Sequence, residues 1–160
     1  MQPEEALTAV AVHVDARMTA AEAGTMPPPV HPRADADRWF VEEVVPNREV
    51  WVAEQGGRLV GLLVLDTAFL DQLYVRPSHW RQGIGAALLH LAMALRPEGF
   101  DLWVFEVNQP ARTLYEGSGL VAVEHGDGSG NEEQAPDVRY EWRPSRVGPG
   151  VGPLRHSDGK

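Results

Sequence analysis

Residues 73–93, LYVRPSHWRQGIGAALLHLAM, constrain the fold of this chain more than any other stretch. The apolar run Leu73-Tyr74-Val75 reads as a strand and meets a breaker at Pro77. A short polar loop leads to Gly83-Ile84-Gly85, and a helical apolar stretch from Ala86 to Leu95 follows at once. The order is strand, glycine loop, helix N-terminus. The first turn of a helix carries unpaired N–H groups and partial positive charge, so it can seat a phosphate. Glycine there removes the Cβ that would hold a ligand off the backbone.

Several phosphate ligands would suit such a loop, and a glycine turn at a strand–helix junction can also be purely structural. A dinucleotide fingerprint needs Gly or Ala five positions after the first glycine, and that position is Leu88. Its acidic partner at the end of a second strand is not clear either. Glu106 follows Trp103-Val104-Phe105, but the surrounding elements do not read as a βαβ repeat. A nucleotide-binding loop of the Gly-Lys-Ser/Thr type is excluded, because Ile84 and Ala86 follow the two glycines.

The segment NQPARTLYEGSGL at 108–120 narrows the choice. Asn108 can cap a helix that begins at Gln109-Pro110, where proline suits the first turn. Ala111, Leu114 and Tyr115 share one helical face, and Gly117 and Gly119 end the helix before a strand at Leu120-Val121-Ala122-Val123. Together the two segments resemble the GNAT superfamily of acyl-CoA-dependent N-acetyltransferases. Its coenzyme loop follows Gln/Arg-x-x-Gly-x-Gly/Ala, and its later helix carries Asn-x-x-Ala-x-x-Leu/Phe-Tyr before Gly-Phe/Leu. The resemblance spans residues 4–143 and is strongest over 50–123. One position departs: Trp80 stands where the loop carries Gln or Arg, with Arg81 beside it.

The resemblance implies an α+β fold of α/β/α layers, with a mixed, mostly antiparallel central sheet and two splayed central strands, 68–75 and 101–106. It implies direct transfer of an acetyl group from acetyl-CoA to a primary amine. Backbone groups of Leu73, Tyr74 and Val75 would meet the pantetheine arm, and an N–H there would polarise the thioester carbonyl. Gln82, Gly83, Gly85 and Ala86 would offer N–H groups to the pyrophosphate, with Arg81 supplying charge and Ile84 packing inward. Tyr115 would protonate the departing thiolate; a thiol's pKa near 8.5 lies below phenol's ~10. Tyr115 can equally be a core residue of its helix face. Asn108 would bond pantetheine or its neighbouring strand, or serve only as a cap. Candidate bases for the amine are Asp71, two residues before Leu73 and expected on the same strand face, and Glu106. Glu54, Asp137 and His125 are weaker alternatives. The loop 126–137, with Glu132, Glu133 and Asp137, could line the acceptor side and attract a cation.

Elsewhere the patterns are local. Residues 4–22 read as an amphipathic helix presenting Leu7, Val10, Ala11, Val14 and Met18 on one face. The prolines at 27–29 and 32 make a stiff connector, and residues 34–45 form a second helix stopped by Pro46. Strands are expected at 50–54 and 58–65, joined by a hairpin at Gln55-Gly56-Gly57, and at 121–124 and 138–142. The GNAT fold usually begins with a strand, whereas here a helix starts almost at Met1. Either that strand is absent or the chain lacks its natural start. A bare sheet edge would favour a homodimer. Residues 1–144 are expected to form one domain, and the Gly- and Pro-rich 145–160 a disordered tail.

Composition bounds the partners. Net charge is −9, which argues against nucleic acid and suits approach of a cationic amine. No apolar run approaches the roughly 20 residues of a membrane span. No basic region precedes an apolar core at the N-terminus, so the expected location is cytoplasmic. The absence of cysteine removes thiolate nucleophiles and cysteine metal sites, and the scattered histidines suggest no other metal site. A non-catalytic acyl-CoA-binding module, sensing the coenzyme or regulating a partner, is the competing function. It would need the glycine loop but neither Tyr115 nor a base.

Overall fold

A two-residue turn at Gly56-Gly57, with φ of 58° and 74°, folds strand β1 (Glu49–Gln55) back onto β2 (Arg58–Leu65). Both turn positions lie in the left-handed region that glycine enters freely, which is the geometry a tight hairpin needs. The structure is a computed structural model and describes residues 1–144; the tail expected at 145–160 lies outside the described residues. β2 is apolar almost throughout because both of its faces are covered. Leu62 and Val64 pack under helix α1 (Pro3–Glu22), and Leu63 and Leu65 pack under helix α4 (Ile84–Leu95). Burying one such leucine contributes about 2 kcal/mol.

Strand β3 (Leu70–Val75) completes a sheet of order β1-β2-β3. A second sheet has the order β4-β6-β5, formed from Phe100–Phe105, Asp137–Trp142 and Val121–Gly126 respectively. Every ladder within the two sheets is antiparallel. β3 and β4 run parallel and meet only where they begin. Phe69 bridges Asp101, and the Asp101 N–H donates to the Ala68 carbonyl at 3.0 Å. Beyond that point the strands separate, which is the expected splay. Helices α4 and α5 (Gln109–Gly117) cover one face; α1 covers the other with α2 (Arg33–Trp39), so the layers are α/β/α. The fold class is the expected one, and no strand precedes α1 among the described residues.

Two local expectations are corrected. On α1, Val10 and Val14 are buried as expected, together with Ala6, Ala9, Val12, Ala16 and Ala20, whereas Leu7 and Met18 are exposed. The helix is rich in Ala and Val all round, so its apolar face is poorly marked and docking against the sheet shifts it. The second helix also continues past Pro46. After α2 the backbone widens into a π-helical turn at Phe40–Val44, and the Val45 N–H donates to the Phe40 carbonyl. The wider turn relieves the clash a proline ring makes four residues back and carries the chain into α3 (Val45–Asn47). Among the described residues no helix is long and apolar enough to cross a membrane.

Candidate active site

The opening between β3 and β4 is a cavity of about 710 Å³, reached from both sides of the sheet. Its first wall is the free edge of β3. The Arg76 N–H donates to the Val60 carbonyl at 2.8 Å. Bonded pairs alternate along an antiparallel ladder, so Tyr74 pairs with Leu62, and the backbone groups of Leu73 and Val75 point into the opening. Of the three residues expected to meet pantetheine by backbone, Tyr74 has those groups turned toward β2. The Val75 carbonyl already accepts the Trp80 indole N–H at 2.7 Å.

The second wall is the glycine loop. Gly83 precedes α4 with φ of 81°, and the first helical bond runs from the Ala87 N–H to the Gly83 carbonyl at 3.0 Å. The N–H groups of Ile84, Gly85 and Ala86 therefore have no helical partner. A Cβ on Gly85 would stand 3.5 Å from Leu114 and 3.8 Å from Val75, in the space between α5 and the β3 edge. Arg81 follows Trp80 in a left-handed conformation, φ 61°. Arg81, Gly83, Gly85 and Ala86 line the cavity; Ile84 lines it too while packing against the α4-side core. Gln82 is exposed and outside the lining.

α5 supplies the floor. Asn108 caps it, its Oδ1 accepting the Ala111 N–H at 3.3 Å, and also lines the cavity. Tyr115 is buried to 7% exposure and lines the cavity, with its ring 5.9 Å from that of Tyr140. Burial pushes its phenol well above the ordinary tyrosine range, and the phenols of Tyr74 and Tyr140 add to the effect. The Tyr140 hydroxyl accepts from Arg112 Nε at 3.0 Å and donates to Glu116 at 2.6 Å, which ties β6 to α5.

The opposite mouth is bounded by α1 and the chain after β5. Ala16, Ala20, Ala23 and Met26 line it with Gln72, Trp103, Asn131 and Asp137. Two contacts hold the 127–136 loop: Arg17 of α1 pairs with Glu133, and His31, in the connector after α1, is hydrogen-bonded through Nε2 to Glu132 at 2.6 Å. Arg17 also lies over the Phe105 ring, 5.8 Å from its centroid.

The acetyltransferase (GNAT) family profile matches residues 16–120. The chain belongs to the GNAT acetyltransferase family. Peptidyl-lysine N-acetyltransferase YiaC of Escherichia coli strain K12 is 31% identical to it over 101 residues, 59% of this chain and 68% of YiaC. Two solved structures share the fold. Apo-form YjaB from Escherichia coli superposes with a TM-score of 0.68 at 20% identity, over 88% of this chain and 92% of its own. PaiA N-acetyltransferase from Thermoplasma acidophilum, solved in complex with coenzyme A, gives 0.66 at 18% identity, over 89% and 95%. As a member of this family the chain is an acyltransferase.

Within the GNAT fold the suggested bases fall in different places. Asp71 occupies an irregularity of β3, since Leu65 pairs with Leu70 and Val64 with Gln72, leaving Asp71 as the extra residue. It consequently does not share the face of Leu73. Its carboxylate accepts from Arg48 Nε at 2.9 Å and borders both the main cavity and a smaller cleft of Trp39, Glu43 and Asn47. Burial raises its carboxyl above the ordinary range, with Arg48 opposing and Asp66 adding to the rise. Glu106 is exposed and outside the lining; its main chain bonds Pro136 and Arg112. Glu54 and His125 are exposed on β1 and β5. Of the acidic loop residues, Glu132 and Glu133 are paired and only Asp137 lines the cavity. Sequence reasoning missed Gln72, Trp103 and Asn131, which no short motif connects.

Proposed function

We propose that this protein is an N-acetyltransferase that moves an acetyl group from acetyl-CoA directly to a primary amine, with residues 1–144 acting as one domain. The observation that carries the reading is that the unpaired N–H groups of the α4 first turn, the free edge of β3 and Tyr115 line one cavity. The GNAT family supports acetyl transfer, and the coenzyme A complex of the PaiA relative supports the donor. The relative YiaC, a peptidyl-lysine N-acetyltransferase, supports a lysine side chain as the acceptor.

Acetyl-CoA supplies the activated thioester. The residues of this chain bind, orient and manage protons. Ile84, Gly85 and Ala86 offer N–H groups to the pyrophosphate, and Arg81 adds charge beside them. The Leu73 N–H points into the opening and would polarise the thioester carbonyl. The acceptor ammonium first gives one proton to a base; its nitrogen then bonds to the acetyl carbon as the carbon–sulfur bond breaks, and a second nitrogen proton passes to the sulfur, which leaves as a thiol. Asp71 suits the base, through water, because burial makes its carboxylate more basic than an exposed one. With its phenol pushed upward, Tyr115 suits hydrogen-bond donation to the developing thiolate rather than outright loss of its proton.

A panel of amines with acetyl-CoA, followed by thiol release, tests the reading. Amine-dependent thiol release with an acetylated product is expected. Tight acetyl-CoA binding without transfer to any amine would instead establish a coenzyme-binding module.

A further inference from the structure

The α1-side mouth of the cavity holds two polar groups whose chemistry the donor half does not use. Gln72 is 8% exposed, lines the cavity, and its Oε1 has no hydrogen-bond partner among the described residues. It sits on the face of β3 turned toward α1, beside the point where the strands part. A buried amide oxygen left without a donor is a cost to the fold, and an incoming N–H removes that cost.

Asp137 is the second group. Cross-strand pairing with Phe105 puts it on the same α1-facing side. Of the two carboxylates in the cavity wall, Asp71 is paired with Arg48, whereas Asp137 has no cationic partner among the described residues. Among the described residues its Oδ2 accepts only the Asn131 amide, at 3.1 Å. Its Oδ1 lies where a Cβ on Gly126 would stand, 2.1 Å away, so glycine at 126 leaves room for this carboxylate. That same Cβ would be 3.7 Å from Trp103, which places the indole beside the carboxylate. Trp103 is 41% exposed and lines the cavity together with Ala16 and Ala20.

We infer that Gln72 and Asp137 bind the amine of the acceptor, a primary ammonium on a flexible alkyl stem, with the stem lying along Trp103 and the alanines of α1. The inference rests on the acetyltransferase reading and deepens it. A primary ammonium carries several N–H donors, enough for the Gln72 oxygen and the Asp137 carboxylate together. An unbranched stem fits a wall of small side chains and a flat indole, and the indole face also attracts the cation. A lysine side chain has this chemistry.

The test titrates the coenzyme A-loaded full chain with Nα-acetyl-lysinamide and with its norleucine counterpart, following amide and indole chemical shifts. The lysine derivative should saturate, with the Gln72 side-chain amide and the Trp103 indole among the moving signals, and the norleucine derivative should bind at least about tenfold more weakly. Gln72→Leu and Asp137→Asn should each weaken lysine binding by about tenfold or more while coenzyme A affinity stays within about twofold. If Gln72→Leu lowers the melting temperature severely, Asp137→Asn decides, because its side chain keeps its size. Equal binding of the two derivatives, or lysine binding unchanged in the variants, overturns the assignment. Lysine binding with this dependence but no acetyl transfer would leave the site standing and remove the enzyme reading. Transfer to lysine with an unaltered amine KM in both variants would do the reverse.

Discussion

The Trp80 indole N–H donates to the Val75 carbonyl at 2.7 Å, closing the loop between β3 and α4 from within. The bond spans the one position where the loop departs from its family, so the indole braces the turn there. Trp80→Phe keeps the ring and deletes the donor. Acetyl-CoA affinity should fall about three- to tenfold, the range expected for one net hydrogen bond. Calorimetric titration measures it; an unchanged Kd would mean that the bond supports nothing the coenzyme uses.

Tyr115→Phe removes the hydroxyl and preserves the packing on Tyr140. Turnover should fall at least about tenfold, with acetyl-CoA affinity within about twofold. Because burial raises this phenol, it stays protonated across the working range. Wild-type kcat should therefore show no loss from Tyr115 ionisation below about pH 10. Unchanged turnover in the variant would remove Tyr115 from the chemistry.

His13 controls a pH dependence of stability. It stacks on Tyr74 with centroids 4.6 Å apart and planes 7° from parallel, and its Nδ1 has no partner among the described residues. Burial, reinforced by Arg17, lowers its pKa from 6.5 to about 4. The unfolded chain thus binds the proton first. Stability due to neutral His13 is complete above pH 6.5 and drains away as pH falls toward 4, by about 3 kcal/mol in all. Urea unfolding between pH 4 and 7.5 should show this slope, and His13→Gln should flatten it.

Gly83 and Gly85 should respond differently to alanine. At Gly83 a Cβ meets nothing within 4 Å, but φ is 81°, so the cost is conformational, about 1 kcal/mol. For a domain of this size that lowers Tm by roughly 2–4 °C. Gly85 is helical and its Cβ would make ordinary contacts, so Gly85→Ala should keep stability within about 0.5 kcal/mol. Scanning calorimetry of the two variants separates the cases.

The strand, loop and helices that line one side of the cavity were readable because each is contiguous in sequence. Leu73 to Ala86 is one strand, one turn and one helix start, and Asn108 to Tyr115 is one capped helix. Where short-range order gave no sign, the expectations went astray. Asp71 looked like a neighbour of Leu73, but a single extra residue in β3 turned it toward Arg48. The α1 helix offered two comparable apolar faces, and Pro46 ended a pattern that the π-helical turn carries on.

By itself the sequence determined the family, the layered α+β fold and the strand, glycine loop and helix start at 73–86, since hydrophobic period, proline and glycine positions act within a few residues. Only the tertiary structure decided the other side of the cavity. Gln72, Trp103 and Asp137 come from three strands, and Ala16 and Ala20 from a helix, distant in sequence. They meet because β3 and β4 pair only at Phe69 and Asp101 and then part, so the space between them depends on how two sheets diverge rather than on any local pattern.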